Sequence, residues 1–343
     1  IDFAYKSFIW KSDLPNAAGV HCVILGMSMG KTNKYLFNAE LGEPIFGVPV
    51  SKINYTLIEG ENIFLDLKRR ESISQLPKIT YGNLPYDNNL GLIWNEADYQ
   101  LIISEHPIIE KYFKPYLDGK SITNNINKYC LWLPDNFPSE LHNIPVIANS
   151  IKNIREWRLS SKRQATKDQA DTPYRFGEIR YKDEPYIAIP VVSSGNREYL
   201  PMKYIENGSV NSSKALAIYT NDIWLVGLMS SKIHLVWLDV YGGKFKSDFQ
   251  YSTYIYNNFP LPNISQDIKL KLEQVSKEFI EYRKNSSSSI AEDYKIGFMP
   301  KQLLTIHNEI DRLVDKLYEV RSSTRDSRLE ALNDLYQNLN SSN

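Results

Sequence analysis

Apolar residues follow a helical spacing from Ile144 onward and then give way to cations. Four isoleucines fall at i, i+3, i+7 and i+10, which is one face of an amphipathic helix: Ile144, Ile147, Ile151 and Ile154. At about 100° per residue, the same face then carries Arg155, Arg158 and Lys162. The pattern predicts a helix that leaves the core and presents cations, although a solvated helix end explains these residues equally simply.

A hairpin is predicted after this helix. Residues 185–194 (PYIAIPVVSS) and 197–201 (REYLP) are rich in β-formers and flank Gly195-Asn196, a tight-turn signal. A basic helix end beside a polar hairpin tip is a shape that fits a DNA groove, and an ordinary surface hairpin is the alternative.

The rest of the pattern predicts an α+β fold. Residues 18–26, 35–37 and 53–58 predict strands, as do residues 236–241 and 251–256, and residues 222–234 predict a helix. From Ser265 onward the apolar residues keep helical spacing in three successive helices. A mixed, β-rich domain is therefore expected to precede a C-terminal helical segment.

The expected domain boundaries follow from these changes of pattern. Residues 1–60 form a strand-rich segment, residues 61–262 a larger domain, and residues 263–343 the helical segment. Residues 259–262 (FPLP) mark the clearest boundary because prolines interrupt both strands and helices.

Composition and charge narrow the function classes. The chain has 343 residues, 42% of them hydrophobic, with 40 basic and 40 acidic side chains, so a nucleic-acid site must come from local clustering. Two distant cysteines and five scattered histidines show no zinc-ligand spacing, and no apolar run is long enough to span a membrane. A cytoplasmic protein without a metal site is expected. Because the chain begins at Ile1 without Met, it is expected to be part of a longer protein.

Two motifs that look catalytic are interpreted as structural. Residues 25–32 (LGMSMGKT) resemble a phosphate loop, but Leu25 stands where the motif requires glycine. Residues 83–86 (NLPY) resemble the tetrapeptide of adenine methyltransferases, yet no strand-to-glycine-loop cofactor site precedes them. A turn accounts for Asn83 and Tyr86, and an adenine methyltransferase that uses them remains an alternative function.

Several segments in order resemble the C-terminal part of the MmeI-like restriction–modification enzymes. The segments that carry the resemblance are residues 3–10 (FAYKSFIW), 16–26 (NAAGVHCVILG), 81–87 (YGNLPYD), 129–133 (YCLWL), 158–166 (RLSSKRQAT), 189–201 (IPVVSSGNREYLP), 230–237 (SSKIHLVW), 242–243 (GG), 251–252 (YS), 258–262 (NFPLP) and 307–318 (HNEIDRLVDKLY). Each one is short, but their order over nearly the whole chain is specific.

The resemblance implies a DNA target recognition domain and a helical tail, without catalytic residues. In that family one chain carries a nuclease, an N6-adenine methyltransferase and the recognition domain. It implies double-stranded DNA and an upstream methyltransferase domain as partners. S-adenosylmethionine, and Mg²⁺ for cleavage, would be bound by the full-length protein and not by this part.

The candidate DNA contacts divide into two groups. The candidate phosphate contacts are Arg155, Arg158, Lys162 and Lys167 at the helix end, with Lys244 and Lys246 as a second set. The candidate base-reading residues are Arg163, Ser194, Asn196, Arg197 and Tyr199. Asn can pair with adenine and Arg with guanine in the major groove. Gly195 is expected to leave one base unread because it lacks a side chain.

Two related assemblies would use the same DNA-reading part. One is a specificity subunit of the type I kind, which would be supported by a second, repeated recognition domain. The other is a phage-exclusion methyltransferase, which has a similar tail and no nuclease.

Overall fold

The computed structural model describes residues 1–10, 20–30, 33–37, 46–206, 208–245 and 247–341. They divide into two compact units, Ile1–Leu65 and Asp66–Asn343, each described by itself below. None of the helices in these ranges is both long and apolar enough to cross a membrane.

The strands lie in both units. They are, in chain order, β1 (Phe3–Trp10), β2 (Val20–Gly26), β3 (Lys34–Phe37), β4 (Gly47–Val50), β5 (Ile79–Tyr81), β6 (Ile93–Asn95), β7 (Phe113–Leu117), β8 (Lys128–Leu131), β9 (Tyr186–Pro190), β10 (Val192–Ser193), β11 (Lys203–Ile205), β12 (Val210–Asn211), β13 (Ala215–Tyr219), β14 (Gly243–Phe245) and β15 (Asp248–Gln250).

Among the described residues, the helices all belong to the second unit. They are α1 (Glu96–Glu105), α2 (Gly119–Asn124), α3 (Pro145–Ser160), α4 (Gln164–Lys167), α5 (Trp224–Met229), α6 (Lys232–Tyr241), α7 (Thr253–Asn257), α8 (Gln266–Asn285), α9 (Ile290–Asp293), α10 (Lys301–Leu317) and α11 (Arg325–Ser341), with short 3₁₀ helices at Pro107–Tyr112 and Ser139–Asn143. The α+β fold class predicted from the sequence is confirmed.

The first unit is built on one sheet with strand order β2-β1-β3-β4. β1 is antiparallel to β2 and parallel to β3, and its Ala4 packs with Leu36 and Ile53 in a small core. The strand predicted at residues 53–58 is wrong. There the Asn54 side chain accepts hydrogen bonds from the backbone of Thr56 and Ile58, which closes a turn instead.

The second unit contains three sheets. The central one has the order β11-β9-β13-β5 with antiparallel neighbours, and all five residues of β9 are buried. A second sheet has the order β12-β7-β8-β6, and a small third sheet has the order β10-β15-β14. α3 packs its isoleucines into the core of the second sheet, together with Trp132 and Phe176.

The helical segment packs on α5 and α6. α8 contacts both α5 and α10, and α11 contacts α6. Ser265 caps α8 by accepting from the backbone N–H of Ile268, and Leu272, Val275 and Phe279 are buried along one face. The helices predicted from Ser265 onward are therefore confirmed.

Two predicted strands in this unit are wrong. Residues 236–241 belong to α6, which begins after the N-cap Ser231 and buries Ile233, Val236, Trp237 and Tyr241 at helical spacing. Residues 251–256 include most of α7. The helix predicted over residues 222–234 is divided into α5 and the start of α6.

Candidate nucleic-acid interface

The helix α3 ends in cations because its buried stripe ends there. Pro145 starts the helix at a position where its missing N–H costs nothing. Ile151 and Ile154 are buried, and Arg158 lies four residues further along the same face. The stripe therefore continues into the protein, and Arg158 is completely buried.

All five guanidinium N–H groups of Arg158 donate hydrogen bonds to backbone carbonyls. The acceptors belong to Pro85 (3.0 Å), Tyr86 (3.0 Å), Gln169 (2.9 Å), Thr172 (2.8 Å) and Arg175 (2.8 Å). Arginine has five donors and no acceptor, so no donor remains for a phosphate. Burial lowers the pKa of Arg158 to about 10, which still leaves the side chain charged. The assignment of Arg158 to a DNA phosphate is wrong, and this residue joins two loops.

The other cations at this end of α3 are accessible. The guanidinium of Arg155 lies 3.8 Å from the carboxylate of Asp171, in an exposed pair of the kind that contributes little to stability. Lys162 and Lys167 are exposed, and neither forms an ion pair within the part of the chain that the structure describes. These three side chains can meet a phosphate without breaking a buried contact.

Arg163 is exposed but ordered by an aromatic neighbour. Its guanidinium lies over the ring of Tyr86, 5.6 Å from the centroid, and donates to the Tyr86 hydroxyl at 3.0 Å. That hydroxyl in turn donates to the carboxylate of Glu178 at 2.7 Å. Arg163 is thus held beside Lys162 and Lys167 with part of its donor set engaged.

The methyltransferase-like tetrapeptide does not form a catalytic site. Asn83 is fully buried, its amide donates to the carbonyl of Asn211, and its side-chain oxygen accepts from the backbone of Arg180 and Tyr181. A catalytic Asn must offer its oxygen to the amino group of a flipped base, and here that oxygen already has two donors. The alternative function based on Asn83 and Tyr86 is therefore wrong. The predicted turn is wrong as well, because Asn83 and Leu84 form isolated β-bridges with Ser212 and Glu178, and a turn follows only at residues 88–89.

The predicted hairpin has a different connection from the one expected. β9 pairs with β11, with Ala188 opposite Lys203, but the chain between them spans residues 191–202. Within this connection β10 leaves the central sheet, and Ser193 pairs with Phe249 of β15. The tight turn predicted at Gly195-Asn196 is wrong. The strand before it, β10, pairs with β15 and not with the residues that directly follow the predicted turn.

Gly195 lies against the backbone of the β14–β15 turn. A Cβ atom at this position would be only 2.3 Å from the carbonyl oxygen of Ser247. Glycine is therefore required for the close approach of two backbones. That Gly195 leaves one base unread stays a prediction, and the close contact with Ser247 gives a second reason for glycine at this position.

Two of the candidate base-reading residues, Asn196 and Arg197, follow Ser193 and remain at least partly accessible. Asn196 is exposed, and its backbone N–H donates to the hydroxyl of Ser194, which fixes the local turn. Arg197 is half-buried and donates to the hydroxyl of Ser193 at 3.0 Å. Burial lowers the pKa of Arg197, while the nearby charge of Asp248 partly offsets this shift.

Tyr199 belongs to the interior. It is buried, its hydroxyl donates to the carboxylate of Asp311 at 2.7 Å, and its ring stacks on His307. The assignment of Tyr199 to a base is wrong, because both its ring and its hydroxyl are engaged with α10.

The second phosphate set is only partly described. Lys244 forms an ion pair with Asp239 at 2.6 Å, and its ammonium lies 3.8 Å from the centroid of the Phe249 ring. Asp239 also pairs with Arg325. Lys244 thus already has an acidic partner, which it shares with Arg325, and Lys246 lies outside the described residues.

The interior histidines serve packing. The Nδ1 of His234 bonds the carbonyl of Met229 at 2.6 Å, so its Nε2 accepts from the hydroxyl of Tyr251 at 2.8 Å. His234 and Tyr251 are therefore hydrogen-bonded groups of the interior. Among the residues that the structure describes, no three His, Cys, Asp or Glu side chains are grouped to hold a metal ion.

Comparison with known proteins identifies the family. Residues 59–263 match the model of the MmeI target recognition domain, and residues 264–342 match that of the MmeI C-terminal domain. The chain belongs to the MmeI family.

Two relatives of this MmeI-family chain are longer than the chain itself. It is 34% identical to DNA methyltransferase A of Bacillus subtilis (strain 168), over 99% of the chain and 38% of that protein. It is similar to the solved structure of the type IIL restriction–modification enzyme MmeI in complex with DNA, with a TM-score of 0.85 and 30% identity. That match covers 99% of this chain and 46% of the other. The chain thus spans less than half the length of either relative.

The MmeI-family recognition domain distributes the candidate contacts over two surfaces with different neighbours. Arg155, Lys162, Arg163 and Lys167 extend from the core of the second sheet. Asn196 and Arg197 lie beside the third sheet and are anchored to the helical segment. Sequence reasoning missed Lys295, whose backbone forms an isolated β-bridge with that of Arg197. No local sequence pattern signals a contact between residues so far apart.

Proposed function

We propose that this chain reads a specific double-stranded DNA site for a larger restriction–modification protein. The observation that carries the proposal is that the exposed Asn196 and the half-buried Arg197 lie on a segment whose backbone is fixed on both sides. On one side Gly195 abuts Ser247, and on the other Glu198 donates to the carbonyl of Tyr294 at 2.9 Å. Rigid presentation is what base-edge hydrogen bonds need, since a misplaced donor loses its discrimination.

In this proposal the two surfaces divide the work. Lys162, Lys167 and Arg155 bind phosphates, with Arg163 beside them, and hold the duplex in register without reading it. Ser194, Asn196 and Arg197 face base edges in the major groove. Arg197 is suited to guanine and Asn196 to adenine because each can form two hydrogen bonds with that base.

The chemical activity would belong to other parts of the full-length protein. An N6-adenine methyltransferase that uses S-adenosylmethionine, and a nuclease that uses Mg²⁺, are proposed for it by its relationship to a DNA methyltransferase and a restriction–modification enzyme. The buried Asn83 does not fit a methyl-transfer site, so this chain is assigned recognition alone. Cleavage of the target site by the full-length protein would distinguish a restriction–modification enzyme from a methyltransferase that has no nuclease.

Two substitutions test the division of work. Sequencing the methylated bases in cells that express the full-length protein would first give the target site. Arg197→Ala is then expected to relax discrimination at one base pair by about 1–3 kcal/mol, a factor of roughly 5 to 150. Lys162→Ala is expected to weaken every site alike and to lower the salt dependence of binding by about one phosphate contact. Duplex binding by the chain, measured over a salt series on target and single-mismatch sites, distinguishes the two effects.

The outcome that contradicts the assignment is equally clear. If Arg197→Ala and Lys162→Ala lower the affinity for all sites by the same factor, Arg197 does not read a base. If the unaltered chain binds all duplexes equally, the recognition function itself is wrong.

A further inference from the structure

Arg197 is paired through its backbone with a residue of the helical segment. Arg197 and Lys295 form an isolated antiparallel bridge, flanked by the hydrogen bond from Glu198 N–H to the carbonyl of Tyr294. This flanking bond places the two residues at a non-hydrogen-bonded position, where opposite side chains lie closest and project from the same face. Lys295 therefore projects beside the proposed base-reading arginine.

The loop that carries Lys295 is well ordered. Phe298 N–H donates to the carbonyl of Lys295 at 2.9 Å, and Gly297 has φ +77°, which is typical of a type II turn and requires glycine. The backbone N–H of Gly297 also donates to the carboxylate of Glu198 at 3.3 Å. The ammonium of Lys295 lies 4.8 Å from the centroid of the exposed Phe298 ring, which limits its range of positions.

Two cations at directly opposite positions repel each other unless an anion lies between them. Lys295 is exposed and Arg197 half-buried, and neither forms an ion pair with a carboxylate in the ranges that the structure describes. Arg197 instead donates to the neutral hydroxyl of Ser193. The charge of Asp248 offsets part of this repulsion at Arg197, and a phosphate that lies against both cations would offset more of it.

We propose that Lys295 binds the DNA phosphate next to the base pair that Arg197 reads, so that the helical segment forms part of the DNA-binding surface. This inference rests on the proposed function of the chain. It adds a phosphate contact outside the recognition domain. Because one backbone bridge fixes both cations, the phosphate contact of Lys295 also positions Arg197 for base reading.

Phosphate ethylation interference on the target duplex tests the proposal. The unaltered chain is expected to show interference at a phosphate adjacent to the base pair whose discrimination Arg197→Ala relaxes. Lys295→Ala should remove that interference, reduce affinity several-fold for all sites, and lower the slope of log K against log salt by about 0.9. Lys295→Arg should retain most of the slope, since it keeps the charge.

Lys271→Ala provides the matched control. Lys271 is an exposed lysine on α8 that forms an ion pair with Asp267, so its loss changes the net charge equally. If Lys295→Ala and Lys271→Ala give the same slope and the same interference pattern, the inference is wrong. If the unaltered chain nevertheless binds its target site specifically, only the inference fails and the proposed function stands. If the unaltered chain shows no sequence-specific binding, the proposed function itself is wrong.

Discussion

Arg158 is a cation held by neutral groups. Five carbonyl oxygens surround it, contributed by the loop at Pro85 and Tyr86 and by the chain between Gln169 and Arg175. The partial negative charges of these carbonyls, with the more distant Asp87, stabilise the guanidinium that burial destabilises. The arginine thereby fixes the chain on both sides of the exposed cations at 162, 163 and 167, although it contacts no DNA itself.

Replacing Arg158 with lysine should destabilise the fold strongly. Lysine has three donors instead of five, so Arg158→Lys leaves buried carbonyls without partners and should reduce the free energy of unfolding by roughly 3 kcal/mol or more. Urea unfolding measures the change, with Arg155→Lys on the same helix as a control expected within about 0.5 kcal/mol. Arg158→Lys with normal stability and weakened DNA binding would restore the phosphate role.

Elements with a complete apolar stripe are predicted well from the sequence. α3 and the helices after Ser265 are of this kind, and the isoleucine stripe even contained the position of Arg158, since residue 158 follows Ile154 by four. Elements decided by distant partners are not predicted. Ser193 joins a strand around residue 249, and Arg197 joins Lys295, so the expected hairpin is replaced by a connection stabilised at both ends.

α6 marks the boundary between these cases. Its Val, Trp and Tyr residues favour a strand by type, yet Ser231 and the spacing of Ile233, Val236, Trp237 and Tyr241 are those of a capped helix. Spacing and capping together would have given the correct element. The exposed candidates Lys162, Lys167 and Asn196 could be found from local charge and turn residues, whereas the burial of Arg158 and Tyr199 depends on packing with distant segments.

The Tyr199 hydroxyl is one of the contacts that anchor the proposed base-reading segment to α10. Tyr199→Phe removes the donor to Asp311, whose pKa burial already raises, and leaves one carboxylate oxygen without that partner. A loss of about 1–3 kcal/mol in the free energy of unfolding is expected. The comparison in urea is Tyr204→Phe, which removes a half-exposed hydroxyl and should change stability by less than about 0.5 kcal/mol. Equal effects of the two substitutions would exclude the anchor.

Across the unit Asp66–Asn343, two histidines are kept neutral by burial. Burial lowers the pKa of His234 to about 4 and that of His307 to about 3, from 6.5. His307 lies in α10 and His234 in α6, so both belong to the contact between the recognition part and the helical segment. Both imidazoles therefore stay neutral in the folded protein at pH values where the same two histidines bind protons in the unfolded chain.

Stability should therefore decrease as pH falls below 6.5. Each histidine contributes full stabilisation above its unfolded pKa and loses about 1.4 kcal/mol per pH unit until its folded pKa is reached. Between pH 6 and pH 4.5, His234→Gln should reduce the slope of unfolding free energy against pH by about 1.4 kcal/mol per unit, and His307→Gln likewise. Slopes equal to that of the unaltered chain would show that these imidazoles are charged in the folded protein.

The placement of Tyr199 against Asp311 bears on how specificities are exchanged between relatives. The family boundary at residues 263 and 264 divides a continuous interior, because Tyr318 also bonds the carbonyl of Pro260 and Tyr336 packs beside Trp237. A chimera that receives residues 59–263 alone would pack the transplanted loop around Tyr199 against helices from a different relative. Transplanting residues 66–343 as one block would carry the loop together with the helices that shape it.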